Sequence, residues 1–314
     1  MWGNAMKKQI LFESAGIGKI SAYCWEPKNA PIGIVQIIHG IAEHASRYDD
    51  FAAYLNALGY LVVADDHMGH GESAKQGSVK GYFHGGWWAA VEDVCALMRK
   101  IKAQYPNLPY ILFGHSMGSF MARTILARYP DIGLSGCVIC GTGWQPDAVL
   151  GAGRLLAGTI CKLSDPQKPN MLLHKIAFGT YNQRVEHPRT AHDWLTRDNK
   201  IVDAYTADPM CGFVASAGLM NDMFEGIAYI QKKSNLLQMD KTMPILFIAG
   251  GDDPVGGYGT GVQKTAQCFW DAGMQNVTVK IYPLGRHEIL NEINKNEVYA
   301  DVANWFATVV NSTN

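Results

Sequence analysis

Apolar and polar positions alternate in two distinct periods along the chain. At the start, KQILFES and GKISAYCWEP flank the turn Gly16–Gly18, and their strand-like composition predicts an opening antiparallel hairpin. Four short, almost wholly apolar runs follow: GIVQIIHG, YLVVADD, PYILFGH and LSGCVIC. Runs of this length alternate with helical patterns, as expected of strands in a parallel sheet covered by helices on both faces. Ahead of PYILFGH, residues Trp88, Val91, Cys95, Met98 and Ile101 recur at three- and four-residue spacings, giving one helix a single apolar packing stripe.

From Trp144 to about Asp240 the alternation stops. The clusters LLAGTI, NMLLHKIAFG and CGFVASAGLMNDMF are short and punctuated by Gly and Pro, which predicts a mostly helical insertion. The pattern returns with MPILFIAGG, a helix around GVQKTAQCFWDAG, a strand NVTVKIYP and a last helix EVYADVANWFATVV. The expected architecture is therefore α/β, an eight-stranded, mostly parallel sheet flanked by helices. Residues 6–143 and 241–314 form its core, and residues 144–240 form a helical cap inserted after the sixth strand.

Composition narrows the function classes. With 48% hydrophobic and 18% charged residues, the 314-residue chain has an ordinary globular composition and no low-complexity segment. Lys+Arg 27 against Asp+Glu 28 gives a net charge of -1, so no basic footprint for nucleic acid or an anionic membrane is present. Seven scattered cysteines do not form a secreted disulfide framework. Cys137 and Cys140 fall in a strand, where residues three apart point to opposite faces, so they read as core thiols. No signal peptide or transmembrane segment is visible, and the expected setting is the cytoplasm. Met1–Ala5 read as an addition ahead of a natural start at Met6.

Candidate chemistry centres on GHSMG, residues 114–118. The strand-like PYILF precedes Ser116 and the helix-like SFMARTILARYP follows the motif, the strand, sharp turn and helix of a nucleophile elbow. Gly114 and Gly118 leave room for the turn, and the helix start beside Ser116 favours developing negative charge. A serine hydroxyl needs a base, and in this topology an acid and then a histidine follow the serine in chain order. AGGDDPVGG supplies the acid and YPLGRHEILNE the base. Of the ten histidines, only His287 lies beyond the acidic loop. Asp253 is the preferred acid because Pro254 holds it extended, with Asp252 as an adjacent rival.

These residues resemble the monoacylglycerol lipase and lysophospholipase branch of the α/β-hydrolases, serine aminopeptidase S33-like. HGIAEHASRY (39–48), DDHMGHGES (65–73) and GHSMG carry the resemblance, supported by DPMCGF (208–213), DPV and RHE. It implies Ser116 as nucleophile, Asp253 as orienting acid and His287 as base, with backbone N–H groups of Ile41 and Met117 as the oxyanion hole. It departs from the branch at Ala42, where H-G-x-G-E-H often carries glycine. The expected activity is hydrolysis of a carboxylic ester of a small monoacylglycerol or lysophospholipid-like substrate. The alternatives are a short-chain or aryl carboxylesterase, an aminopeptidase, and, more distantly, a non-catalytic ligand-binding relative.

A peptidase needs an acid to hold a free amine, for which Glu186, Asp193, Asp222 and Glu225 are available. Phe213, Met220 and Phe224 are candidates for an acyl-chain site, among cap residues that include Leu155, Leu156, Leu172, Leu173, Phe178, Met223 and Ile227. His39, His44, His67 and His70 lack a recognised zinc spacing, and His115 and Glu43 read as locally bonded structural residues. Neither GGDDPVGGYGTG nor GAGRLLAG matches a nucleotide-binding pattern, so neither metal nor cofactor is implied.

Overall fold

The computed structural model describes residues 6–313, so Met1–Ala5 lie outside the described residues. The hairpin strands β1 (Met6–Glu13) and β2 (Lys19–Glu26) lead into β3 (Gly33–Ile38), α1 (Asp49–Ala57), β4 (Tyr60–Asp65) and α2 (Gly86–Gln104). Next come β5 (Tyr110–His115), α3 (Met117–Arg128) and β6 (Gly136–Cys140). Helices α4 (Asp147–Leu163), α5 (Met171–Phe178), α6 (Asn199–Ala207), α7 (Ala217–Gln231) and α8 (Lys233–Leu236) separate β6 from β7 (Ile245–Gly250). Then α9 (Thr260–Asp271), β8 (Val277–Tyr282) and α10 (Lys295–Thr313) complete the order.

The eight strands form one sheet in the order β1-β2-β4-β3-β5-β6-β7-β8. Only the β1–β2 and β2–β4 pairings are antiparallel. The unbroken apolar runs have a direct cause: every residue of β3, β4, β5, β6 and β7 is buried. Side chains alternate between two cores, Ile34, Leu112, Ile139 and Phe247 on one face, Val35, Ile111, Val138 and Ile248 on the other. Cys137 and Cys140 fall in opposite cores and are fully buried thiols.

Helix α2 corrects one detail of the expected stripe. Val91, Cys95, Met98 and Ile101 are buried, but Trp88 is only half-buried and donates Nε1 to Glu225 at 3.0 Å. Trp87 is the buried indole instead, because Gly226 of α7 leaves space for it: a Cβ there would lie 2.2 Å from the ring. Helix α7 packs on α2, α3 and α4 and so docks the inserted helices onto the sheet layer. No described helix is long and apolar enough to cross a membrane.

Candidate active site

Four loops meet beyond the carboxyl ends of the parallel strands. Gly40 and Ile41 follow β3, Ser116 follows β5, Asp253 follows β7 and His287 follows β8. Between β3 and β5 the chain order runs outward in both directions, the position where open α/β sheets form a ligand crevice.

Ser116 occupies the turn between β5 and α3 with φ 53° and ψ -120°, a strained conformation for a residue with a side chain. Its backbone N–H is held by the Cys140 carbonyl at 3.0 Å, and its carbonyl accepts Ser119 Oγ at 2.6 Å and Ser119 N–H at 2.9 Å. The flanking glycines are required by close approach. A Cβ on Gly114 would meet the Gly118 carbonyl at 2.5 Å, and one on Gly118 would meet the Ile38 carbonyl at 2.0 Å. Across the crevice, a Cβ built on Gly40 would sit 3.0 Å from Ser116 Cβ, so the loop carrying Ile41 lies directly beside the serine.

His287 Nδ1 lies 3.0 Å from both carboxylate oxygens of Asp253. Both side chains are buried, whereas Asp252 is exposed. Asp253 is further fixed by the Val255 N–H at 2.8 Å. Burial alone lowers the imidazole's affinity for a proton, but Asp253, aided by Glu288 and Glu43, raises His287 above the ordinary histidine value. His115 meets the His287 ring, with centroids 4.7 Å apart, in place of the expected local hydrogen bond. Burial and neighbouring His287 push His115 down to about 4. Ser116, His115, His287, Ile41 and Met117 all line one cavity of about 830 Å³. Among the described residues no hydrogen bond joins Ser116 Oγ to His287, a bond that ligand-free sites often form only when substrate arrives.

The loop after β3 is held by charge. Glu43 accepts the Gly40 N–H at 2.6 Å and Tyr48 Oη at 3.0 Å, and it pairs with Arg47 at 2.7 Å. Arg47 also makes a two-pronged bond to Glu288, 2.6 Å on each arm, and its guanidinium covers the Tyr205 ring at 4.7 Å. Burial raises the Glu288 carboxyl, but Arg47 outweighs it and lowers Glu288 to about 2. Arg47 thus ties the loop beside the serine to the loop of His287, a link across 241 positions of sequence. Removing it strands two buried carboxylates. We expect Arg47→Met to destabilise the fold by about 3–5 kcal/mol, read as a lower denaturation midpoint in urea.

Ala42 has φ 54°, which explains why glycine suits this position. Two bonds hold the turn despite its side chain: the Ala42 carbonyl accepts the Gly212 N–H and Tyr205 Oη, each at 2.9 Å.

The cap candidates separate cleanly. Phe213 and Phe224 line the cavity, as do Leu156, Phe178, Met223 and Ile227. Met220 does not: it is fully buried in the core against which α7 packs, and Met223, nearly one turn on, takes the cavity position. Leu173 is buried away from the cavity, while Leu155 and Leu172 are exposed. None of Glu186, Asp193, Asp222 and Glu225 lines the cavity. Asp193 accepts from Thr190 Oγ1 at 3.0 Å, and Asp222 lies beside Gly86.

Of the clustered histidines, His39 and His67 are bonded to each other, whereas His70 Nε2 is buried without a partner among the described residues. His39 and His67 stack at 3.9 Å, His67 Nδ1 pairs with Asp65 at 2.7 Å, and the His67 N–H donates to His39 Nε2 at 3.0 Å. Among the described residues, one group, His44, Asp208 and Cys211, brings three metal-ligating atoms within 4.8 Å of one another. His44 Nε2 and Asp208 already satisfy each other at 2.9 Å.

Comparison with known proteins places this chain in a family. The model of the family described as serine aminopeptidase, S33, matches residues 29–294. The monoacylglycerol lipase of Mycolicibacterium smegmatis is 30% identical over 302 residues, covering 94% of this chain and 95% of that protein. Human monoglyceride lipase is 28% identical, covering 90% and 84% respectively. A thermostable carboxyl esterase from Bacillus coagulans, solved with glycerol, superposes with a TM-score of 0.90 at 30% identity, covering 98% of this chain and all of that one. The chain belongs to the serine aminopeptidase S33 family and is a hydrolase of the α/β-hydrolase fold.

Proposed function

We propose that this chain hydrolyses a carboxylic ester of a monoacylglycerol or lysophospholipid-like molecule through an acyl-enzyme on Ser116. The observation that carries the reading is the strained Ser116 on the wall of a cavity that His287 also lines, with the buried Asp253 bonded to His287 Nδ1. His287 takes the Ser116 proton as Oγ attacks the ester carbonyl carbon. The Ile41 and Met117 N–H groups hold the oxyanion, and the alcohol leaves with the proton from His287. Water deprotonated by His287 then attacks the acyl-enzyme and releases the acid. Asp253 holds Nδ1–H throughout, keeping Nε2 free for the proton.

The cavity supports an apolar acyl group, since Phe213, Phe224, Met223 and Ile227 line it and its volume fits a drug- to lipid-sized ligand. Residues 144–240 act as a cap over the site, a reading supported by their share of the lining. An aminopeptidase is disfavoured because none of Glu186, Asp193, Asp222 and Glu225 lines the cavity to hold an ammonium group, and the acids that do line it, Glu43 and Glu288, are already paired with Arg47. The free thiols support a reducing, cytoplasmic setting.

The test is a panel of monoacylglycerol, lysophospholipid, short-chain ester and amino-acid amide substrates. Turnover of the long-chain esters is expected. Turnover of short esters alone moves the assignment to a carboxylesterase, and turnover of amides alone contradicts it. The pH dependence follows from His287: a protonated imidazole cannot accept the serine proton, so kcat/KM falls as pH drops through a value above 6.5. A flat profile between pH 5 and 8 contradicts that base, and a stopped assay across buffers measures it.

A further inference from the structure

His287 is gripped from the inserted segment as well as from Asp253. Residues 193–197, which precede α6, run alongside residues 286–292. The His287 N–H donates to the Trp194 carbonyl at 3.4 Å, and the Glu288 N–H donates to the Leu195 carbonyl at 2.7 Å. Arg286 Nη1 donates to the carbonyls of Asp193 at 2.6 Å and Thr196 at 3.1 Å. Arg197 Nε closes the far end on Glu292 at 2.9 Å. This much backbone docking makes the strap part of the His287 loop.

The strap also delivers an aromatic face. The Trp194 indole meets the His287 ring with centroids 5.0 Å apart and planes at 37°, and Tyr181 holds the indole edge-on at 4.8 Å. His287 is almost wholly buried and Asp253 fully so, so an imidazolium formed here is little hydrated and depends mainly on the groups that surround it. Asp253, Glu43 and Glu288 face it with negative charge, Arg47 offsets the two glutamates, and His115 and Tyr181 are neutral neighbours at working pH. The indole face attracts a cation within about 6 Å.

We propose that Trp194 is a positioning residue for His287, keeping the imidazole on Asp253 and favouring its protonated form during turnover. The proposal rests on His287 being the base in the reading above. It assigns the inserted segment a role in setting the base, in addition to covering the substrate.

The first arm of the test is kinetic. Trp194→Leu is expected to lower kcat about ten-fold with KM within about two-fold, as a misplaced base does. Its acid limb in kcat/KM is expected to move to lower pH by about half a unit, the size of one cation–π contact. Trp194→Phe is expected to restore most of both. The second arm needs no ester turnover: an imidazolium quenches an indole that it touches, so emission from the ligand-free protein is expected to fall as pH drops through the His287 midpoint. That step is expected to vanish in Trp194→Phe and in His287→Gln. If wild type shows the step but cleaves no ester, the positioning contact stands and the substrate reading fails. An emission step that persists in Trp194→Phe, or an unchanged pH profile in Trp194→Leu, overturns the proposal.

Discussion

Ser116→Ala is expected to lower kcat/KM for the preferred ester by about ten-thousand-fold or more, with the fold intact. Loss of a triad nucleophile leaves only what the oxyanion donors and binding supply. Alanine accepts the same backbone strain as serine at φ 53°, and the bonds that fix the elbow run through main-chain groups and Ser119, so the turn does not depend on the lost hydroxyl. An unchanged far-ultraviolet circular dichroism spectrum beside the lost activity checks that separation. Retained activity at a tenth of wild type would remove Ser116 from the chemistry.

Asp253→Asn is expected to cost about ten-thousand-fold in kcat, while Asp252→Asn stays close to wild type. An amide in place of the carboxylate can donate to Nδ1 and stabilise the wrong tautomer, leaving Nε2 protonated and unable to take the serine proton. The geometry discriminates the two neighbours: Asp253 is fully buried with both oxygens on His287, and Asp252 is exposed. The loss in Asp253→Asn should persist at high pH, because it reflects a tautomer and not a titration. Recovery at high pH would point to an electrostatic role alone, and the reverse ranking of the two variants would exchange their roles.

The core fold was legible because its signals are local. Five fully buried strands announce themselves as apolar runs, and the GHSMG elbow compresses strand, turn and helix into a few residues. Chain order then singled out His287, while the choice between Asp252 and Asp253 required burial, which two adjacent acids do not reveal in sequence. The inserted segment was harder to read. Met220 and Met223 sit on the same helix, and which one reaches the cavity depends on how α7 docks against α2 and α3. Trp87 takes the buried place expected of Trp88 for the same reason, through a gap at Gly226. Arg47 and Glu288 were visible within motifs, but their pairing spans the chain and no short-range pattern reports it. Trp194 carried no signal at all, since its segment has neither helical nor strand periodicity. Its importance arises only where the strap meets the His287 loop.

The acyl-enzyme at Ser116 is the central claim, and trapping it is the most direct measurement. Incubation with a fluorophosphonate carrying an alkyl chain, followed by intact-mass measurement and peptide mapping, reads both stoichiometry and position. One phosphonyl group per chain on the peptide containing Ser116, absent in Ser116→Ala and slowed in Asp253→Asn, is the predicted result. Labelling at another residue, or none while wild type still turns over ester, would contradict the account.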